Sequence, residues 1–233
     1  LTVVSPVSGT IGITAYAGLW QASASANIVV NAVDKSAAPS GTADKFNGAG
    51  TIADNDLTIL YPYPNTVFPL AQGGPLVQWR NNGVAANAIE IGLRYPPDGS
   101  KFSWSAIRPE LQVAPTTGLA AQPRAQIPDV AWRALEKSAK GETAVITVQR
   151  YVGSVLRQEK TIPIRFATGQ LKGTVYYQSY GTNLATNYCC HRDSSKNFGG
   201  ATLAIKPGAS VPTLVAGNNT YHSGCRVCHT VAS

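Results

Sequence analysis

The sequence predicts a mainly β chain, on three observations. Short runs of β-branched and aromatic residues alternate with polar ones, the period of a half-buried strand. Turn formers punctuate those runs, with 22 Gly and 15 Pro among 233 residues. Charged residues are scarce at 13%, while Ala, Gly, Ser, Thr, Val and Asn dominate. That is the profile of an exported β-rich protein rather than of a cytosolic enzyme. The length allows a proper core and as many as two domains.

Three sections follow in order. Residues 1–52 form an N-terminal strand and linker segment. Thr10-Ile11-Gly12-Ile13-Thr14 and Asn27-Ile28-Val29-Val30 read as strands, the second ending near Lys35. From Ser36 to Asp56 large apolar residues nearly vanish, which reads as a loop. Residues 53–168 read as one β-rich domain. Leu57–Pro62, Leu76–Trp79 and Ala88–Leu93 are strand patterns, and Pro96-Pro97-Asp98-Gly99 is a turn. Ala144–Arg150 and Lys160–Phe166 continue the set, with Val152-Gly153-Ser154 as a hairpin connection. One helix interrupts, near 129–140. Pro128 and Asp129 mark its start, Val130, Trp132, Ala134 and Leu135 give it an apolar side, and Gly141 marks its end.

A tryptophan in the Leu76–Trp79 strand, buried between sheets, is the pattern of an immunoglobulin-like β-sandwich. That is the architecture expected for 53–168. Tyr95 and Trp104 read as core aromatics rather than as a carbohydrate platform.

Residues 169–233 form a loop-rich C-terminal segment. Gly173–Tyr180 and Ala201–Gly208 read as strands, the latter ending in a turn. Between them a polar stretch carries Cys189, Cys190 and His191. Tyr176, Tyr177, Tyr180, Tyr188 and Tyr221 read as strand packing residues or, if a haem is present, as its edge.

The chemistry concentrates at the end of the chain, in Cys225-Arg226-Val227-Cys228-His229. This C-x-x-C-H spacing is the one used for covalent haem attachment. Each thiol adds to one haem vinyl group, and the adjacent histidine becomes the proximal iron ligand. The expectation is one covalent haem c, held by Cys225 and Cys228 as thioethers, with His229 on the iron. The chain contains no methionine, so the sulfur ligand common in such sites is absent from it. Two other histidines remain, His191 and His222. His222 lies seven residues before His229, a short tether for reaching the opposite haem face. His191 is therefore the preferred distal ligand and His222 the alternative. The competing reading gathers Cys189, Cys190 or His191 with Cys225, Cys228 or His229 on zinc, or joins the cysteines as disulfides. Adjacent cysteines place both sulfurs on one tetrahedral ion poorly, so the spacing disfavours zinc.

The expected function is electron transfer by an extracytoplasmic monohaem c-type cytochrome, not enzyme catalysis. The alternative is a secreted structural or adhesive β-protein whose Cys/His cluster forms disulfides or binds zinc. There is no Gly-x-Ser-x-Gly elbow and no His-Glu-x-x-His. The formal charge of +7 is spread along the chain without aromatic interleaving, which argues against a nucleic-acid partner. A diffuse positive surface instead suits an acidic redox partner protein. No apolar run reaches the length of a membrane-spanning helix. The start at Leu1, without a basic leader, reads as an exported chain whose signal peptide has been removed, periplasmic or extracellular. A homo-oligomer or larger complex, passing electrons between haems at the contacts, fits the same reading.

Several strings resemble large secreted proteins of myxobacteria and related environmental bacteria. These are Ile59–Pro62 with Thr66–Pro69, Leu171–Tyr177 running into Ser179–Asn183, and Cys225–Val231. The resemblance covers about residues 57–233. It implies an exported location and a sandwich-like section followed by the Cys-x-x-Cys-His segment, with a β-propeller after it. The present sequence stops at Ser233 without a propeller. The Cys189-Cys190-His191 string also departs from the pattern, which favours a ligand role particular to this chain.

Overall fold

The computed structural model describes residues 7–113, 122–139, 141–170, 172–179, 184, 201–209 and 211–217. The strands β1 (Gly9–Ala17), β2 (Trp20–Ile28) and β3 (Val30–Asp34) come first. After a long connection follow β4 (Thr58–Tyr61), β5 (Thr66–Leu70), β6 (Leu76–Arg80), β7 (Ala88–Tyr95) and β8 (Phe102–Arg108). The short β9 (Gln112–Val113) and β10 (Gln122–Gln126) precede the helix α1 (Asp129–Ser138). Then come β11 (Thr143–Val152), β12 (Val155–Leu156), β13 (Lys160–Gln170), β14 (Val175–Ser179), β15 (Ala201–Ile205) and β16 (Thr213–Ala216). The chain is mainly β, as its alternation predicts.

Two compact units are present. The first comprises Leu1–Leu70, Gly74–Leu111 and Pro123–Gly169; the second comprises Ala71–Gly73, Gln112–Gln122 and Gln170–Ser233. The first unit is built on a sheet in the order β3-β8-β7-β11-β13-β5, with β12 paired to β11. The β3–β8 pair is parallel, whereas β7–β8, β7–β11 and β11–β13 are antiparallel. In a second sheet β6 lies between β4 and β10, antiparallel to both.

One apolar cluster takes side chains from both sheets and from α1. Ile91 and Leu93 of β7, Ile146 and Val148 of β11, Val77 and Trp79 of β6, and Trp132 and Leu135 of α1 all belong to it. The period of 2 sends alternate residues of each strand inward. Trp79, Trp132 and Leu135 are fully buried. Trp132 stands edge-on to Phe68, with ring centres 4.9 Å apart, and tilted to Phe166 at 5.0 Å. Tyr95 lies in this core and Trp104 packs against it half-buried, as expected of core aromatics. The helix differs in one detail, because Val130 is 75% exposed. The buried stripe runs through Ala131, Trp132, Ala134 and Leu135, and at 100° per residue Val130 sits about 120° from its centre.

Turn chemistry behaves as the sequence predicts. Gly99 has φ +76° and donates its N–H to the Pro96 carbonyl at 2.7 Å. Gly153 and Ser154 both take positive φ between the paired Val152 and Val155, the geometry of a two-residue primed hairpin turn.

The connection from Ser36 to Asp56 contains no strand, as its composition indicates, but it has a structural role. The core-facing side of β11 carries Ala144, Ile146 and Val148. On the other face Val145, Thr147 and Gln149 are also buried, and the connection covers part of it. Gln149 Nε2 donates to the Gly48 carbonyl at 3.4 Å, and Phe46 meets Tyr151 edge-on. Ile52 bridges to Arg157, and Gln158 N–H donates to the Ile52 carbonyl at 2.8 Å. Gly50 permits this approach, since a Cβ there would stand 2.0 Å from the Arg157 carbonyl oxygen.

Candidate functional site

All the residues singled out for chemistry lie outside the described residues: Cys189, Cys190, His191, His222, Cys225, Cys228 and His229. So do Tyr180, Tyr188 and Tyr221. The described strands β14 and β15 bracket the first cysteine-bearing segment, and β16 precedes the second.

Those strands form an antiparallel sheet in the order β14-β15-β16. Ser179, the last residue of β14, is paired with Ala201, the first residue of β15. The segment carrying Cys189, Cys190 and His191 therefore leaves and re-enters at one end of this sheet. Ala216, the last residue of β16, is paired with Thr202. The segment leading to Cys225, Cys228 and His229 thus departs from the same end. Adjacent strands lie about 4.8 Å apart, so Ser179 and Ala216 flank β15 across about 10 Å. Cys189 is ten residues beyond Ser179, and Cys225 is nine beyond Ala216. Either stretch of chain can span more than that gap at about 3.3 Å per residue. The two chain segments that carry these residues thus leave the described sheet at the same end. In this sheet β15 is buried from Ala201 to Ala204, and Tyr176 and Tyr177 of β14 remain 47% and 39% exposed. Burial pushes the Tyr177 hydroxyl above its ordinary pKa.

The first unit holds a different polar feature that sequence reading missed. A cleft of about 560 Å³ opens between the 46–50 connection and the outer face of β7 and β11. Arg94 makes a bidentate pair with Glu159, at 2.8 and 2.7 Å. Beside it Glu90 accepts a hydrogen bond from Ser105 Oγ at 2.7 Å. Burial raises the Glu90 pKa; the Ser105 hydrogen bond opposes this, and the charge of Glu159 adds to it. Its lining of carboxylates, amides and one guanidinium, from Glu90, Glu159, Gln149, Gln158 and Arg94, offers hydrogen bonding.

The first unit also holds a buried ionic cluster. Arg150 donates from Nε and Nη2 to both oxygens of Asp54, at 2.7 and 2.6 Å, and from Nη1 to the Val84 carbonyl at 2.7 Å. Glu110 Oε1 stands 3.7 Å from Nη1. Glu110 also accepts hydrogen bonds from Trp79 Nε1 at 2.7 Å, Asn81 Nδ2 at 3.2 Å and the Ala86 N–H at 2.6 Å. Burial alone would lower the Arg150 pKa, but the hydrogen bonds and charge of Asp54, then the charge of Glu110, outweigh it and the pKa rises. Every polar group here faces a partner within the fold, which makes the cluster a structural clasp. The sequence signal was the charge at Arg150, in phase with the core-facing Ala144, Ile146 and Val148 at the end of β11.

Among the described residues no group of three His, Cys, Asp or Glu side chains is placed to hold a metal ion. None of their helices is long and apolar enough to cross a membrane. Comparison with protein-family models, with curated proteins and with solved structures finds no match.

Proposed function

We propose that the protein is an extracytoplasmic monohaem c-type cytochrome that carries electrons to and from a redox partner protein. The Cys225-Arg226-Val227-Cys228-His229 string carries this reading. In it, Cys225 and Cys228 would hold the haem covalently, as thioethers formed by addition of their S–H bonds across its two vinyl groups. His229 would ligate the iron next to the thioethers, and His191, with His222 the alternative, would supply the second imidazole. The common exit of the two segments from the β14-β15-β16 sheet supports this pairing, because both chain segments leave the sheet at one end. The bound haem would supply a reversible one-electron iron couple. The chain's own part is to hold that group covalently and to set its axial ligands.

The scaffold in this reading is an immunoglobulin-like β-sandwich over 53–168. It is supported by Trp79, buried in β6, and by the apolar cluster shared between two sheets. The low charge content of 13% supports an exported location.

The test is expression with an intact cytochrome c maturation system. The expected product is red, exceeds the polypeptide mass by one haem, and keeps its haem stain after denaturing electrophoresis. Cys225→Ala with Cys228→Ala should abolish the stain, and His191→Ala should convert a low-spin spectrum to one that binds carbon monoxide. An unmodified mass from such cells rejects the reading. Stoichiometric zinc, or a mass reduced only by disulfide formation, would instead establish the structural or adhesive alternative.

A further inference from the structure

The cleft of about 560 Å³ on the outer face of β7 and β11 is lined by polar side chains that the fold holds in fixed orientations. Gln149, in β11, is 4% exposed. Its Nε2 donates to two backbone carbonyls, of Arg157 at 2.8 Å and of Gly48 at 3.4 Å. Those two bonds fix which way the amide faces, and its Oε1 accepts from no described residue. A buried acceptor left in that state calls for a partner from outside the fold. Glu90 stands directly opposite Gln149 in the β7–β11 ladder, so the two side chains share one face as close neighbours. Glu90 accepts a hydrogen bond from Ser105 Oγ on Oε1, while its Oε2 has no partner among the described residues. Arg94, four residues along the same strand, is locked to Glu159 in a two-bond fork whose side chains are 36% and 20% exposed. Phe46, half-buried and edge-on to Tyr151, adds an aromatic ring to the lining.

These groups restrict what the cleft can take. The open positions on Gln149 and Glu90 are acceptors, so the ligand must bring hydrogen-bond donors. An anion brings none and meets two carboxylates. A cation brings donors but has to stand beside the Arg94 guanidinium, which already neutralises Glu159. Burial holds the Glu90 pKa above its ordinary value, which leaves less negative charge to attract a cation. Hydroxyl groups fit both demands, because each donates one hydrogen bond and accepts others. Neighbouring hydroxyls on a ring also match the two-point edges of a carboxylate, an amide or a guanidinium. We propose that this cleft binds a neutral polyhydroxyl ligand, a mono- or disaccharide. Its hydroxyls bond to Gln149, Glu90 and the Arg94–Glu159 fork, and its C–H face lies on Phe46. The volume is that of a small-ligand site, and side chains already fixed by the fold lose little freedom on binding. The assignment uses no residue of the candidate haem site and stands separately from it.

The test is saturation-transfer NMR and then calorimetric titration of the full chain with glucose, galactose, mannose, N-acetylglucosamine, cellobiose, lactose and chitobiose. The expected result is one saturable site for at least one of these sugars, with a Kd on the order of 1 mM. Gln149→Met, which keeps the volume and removes the open acceptor, should weaken that binding about tenfold. Arg94→Ala combined with Glu159→Ala, which removes the fork and leaves no charge behind, should weaken it to a similar extent. Tyr63→Ala, at an exposed aromatic outside the lining, should leave the affinity unchanged. Thermal transitions show which variants are folded, and the double variant, at partly exposed positions, decides the matter if Gln149→Met is not. The inference is overturned if no sugar in the series binds, or if a folded cleft variant keeps the wild-type affinity. It is equally overturned if Tyr63→Ala weakens binding as much as the cleft variants do. Saturable binding of calcium chloride or putrescine, without any sugar, would overturn it and assign the cleft to a cation.

Discussion

Removing the carboxylate of Asp54 is the sharpest test of how the first unit is held together. Arg150 and Asp54 are 0% and 1% exposed, and two hydrogen bonds of 2.7 and 2.6 Å join them. In Asp54→Ala the guanidinium stays buried and loses both. Glu110, at 3.7 Å, is already held by three donors and cannot replace them. Stripping one partner from a buried pair costs about 3–5 kcal/mol. For a domain of this size that lowers the melting temperature by roughly 6–20 °C. Urea and thermal unfolding followed by tryptophan fluorescence measure it, with Trp79 as a built-in reporter through its bond to Glu110. The control is the exposed Lys35–Asp44 pair at 2.9 Å, where Asp44→Ala should leave the transition unmoved. Asp54→Ala combined with Arg150→Met should recover only part of the loss, because the bare guanidinium is gone but buried Glu110 then keeps its hydrogen-bond donors without a cation beside it. A cost for Asp54→Ala as small as that of the control would refute the reasoning.

Two further outcomes are expected. Because the folded-state pKa of Glu90 is raised, chiefly by burial, its contribution to stability is full below the ordinary glutamate value and is lost as pH rises through the folded one. Glu90→Gln should therefore flatten the decline in stability above about pH 4.5, and denaturant melts that fall equally steeply in both proteins would contradict this. Gly50→Ala should cost more than Gly153→Ala. The first drives a Cβ into the Arg157 carbonyl, whereas the second meets open space and bears only the strain of φ +54°, about 1 kcal/mol. Chemical denaturation of the two variants decides the order.

The strand content and most turns were legible in the sequence, since both depend on neighbours in the chain. Leu76–Trp79, Ala88–Leu93, Ala144–Arg150 and Lys160–Phe166 show their period of 2 openly, and Gly99 and Gly153 mark turns by the φ they tolerate. The strand β8 was harder, because Ser103 and Ser105 interleave with Phe102, Trp104 and Ala106 and dilute the apolar signal. Pro123 within Gln122–Gln126 argued against β10. Asn27–Val30 read as one strand, but the ladder breaks at Val29. Residue types cannot show that Ile28 closes on Gly9 while Val30 pairs with Phe102.

The proposal of a haem site rests on sequence alone, because C-x-x-C-H is a local spacing that exists before any fold does. Tertiary structure decided which distant segments share an end of a sheet. Ser179, Ala201 and Ala216 meet there only through the ladders of β14, β15 and β16. It also decided that Arg150 finds Asp54 across 96 positions of chain. Charge and spacing in one dimension hold no record of such partners, since a buried ion pair is selected by the space the packed core leaves for it.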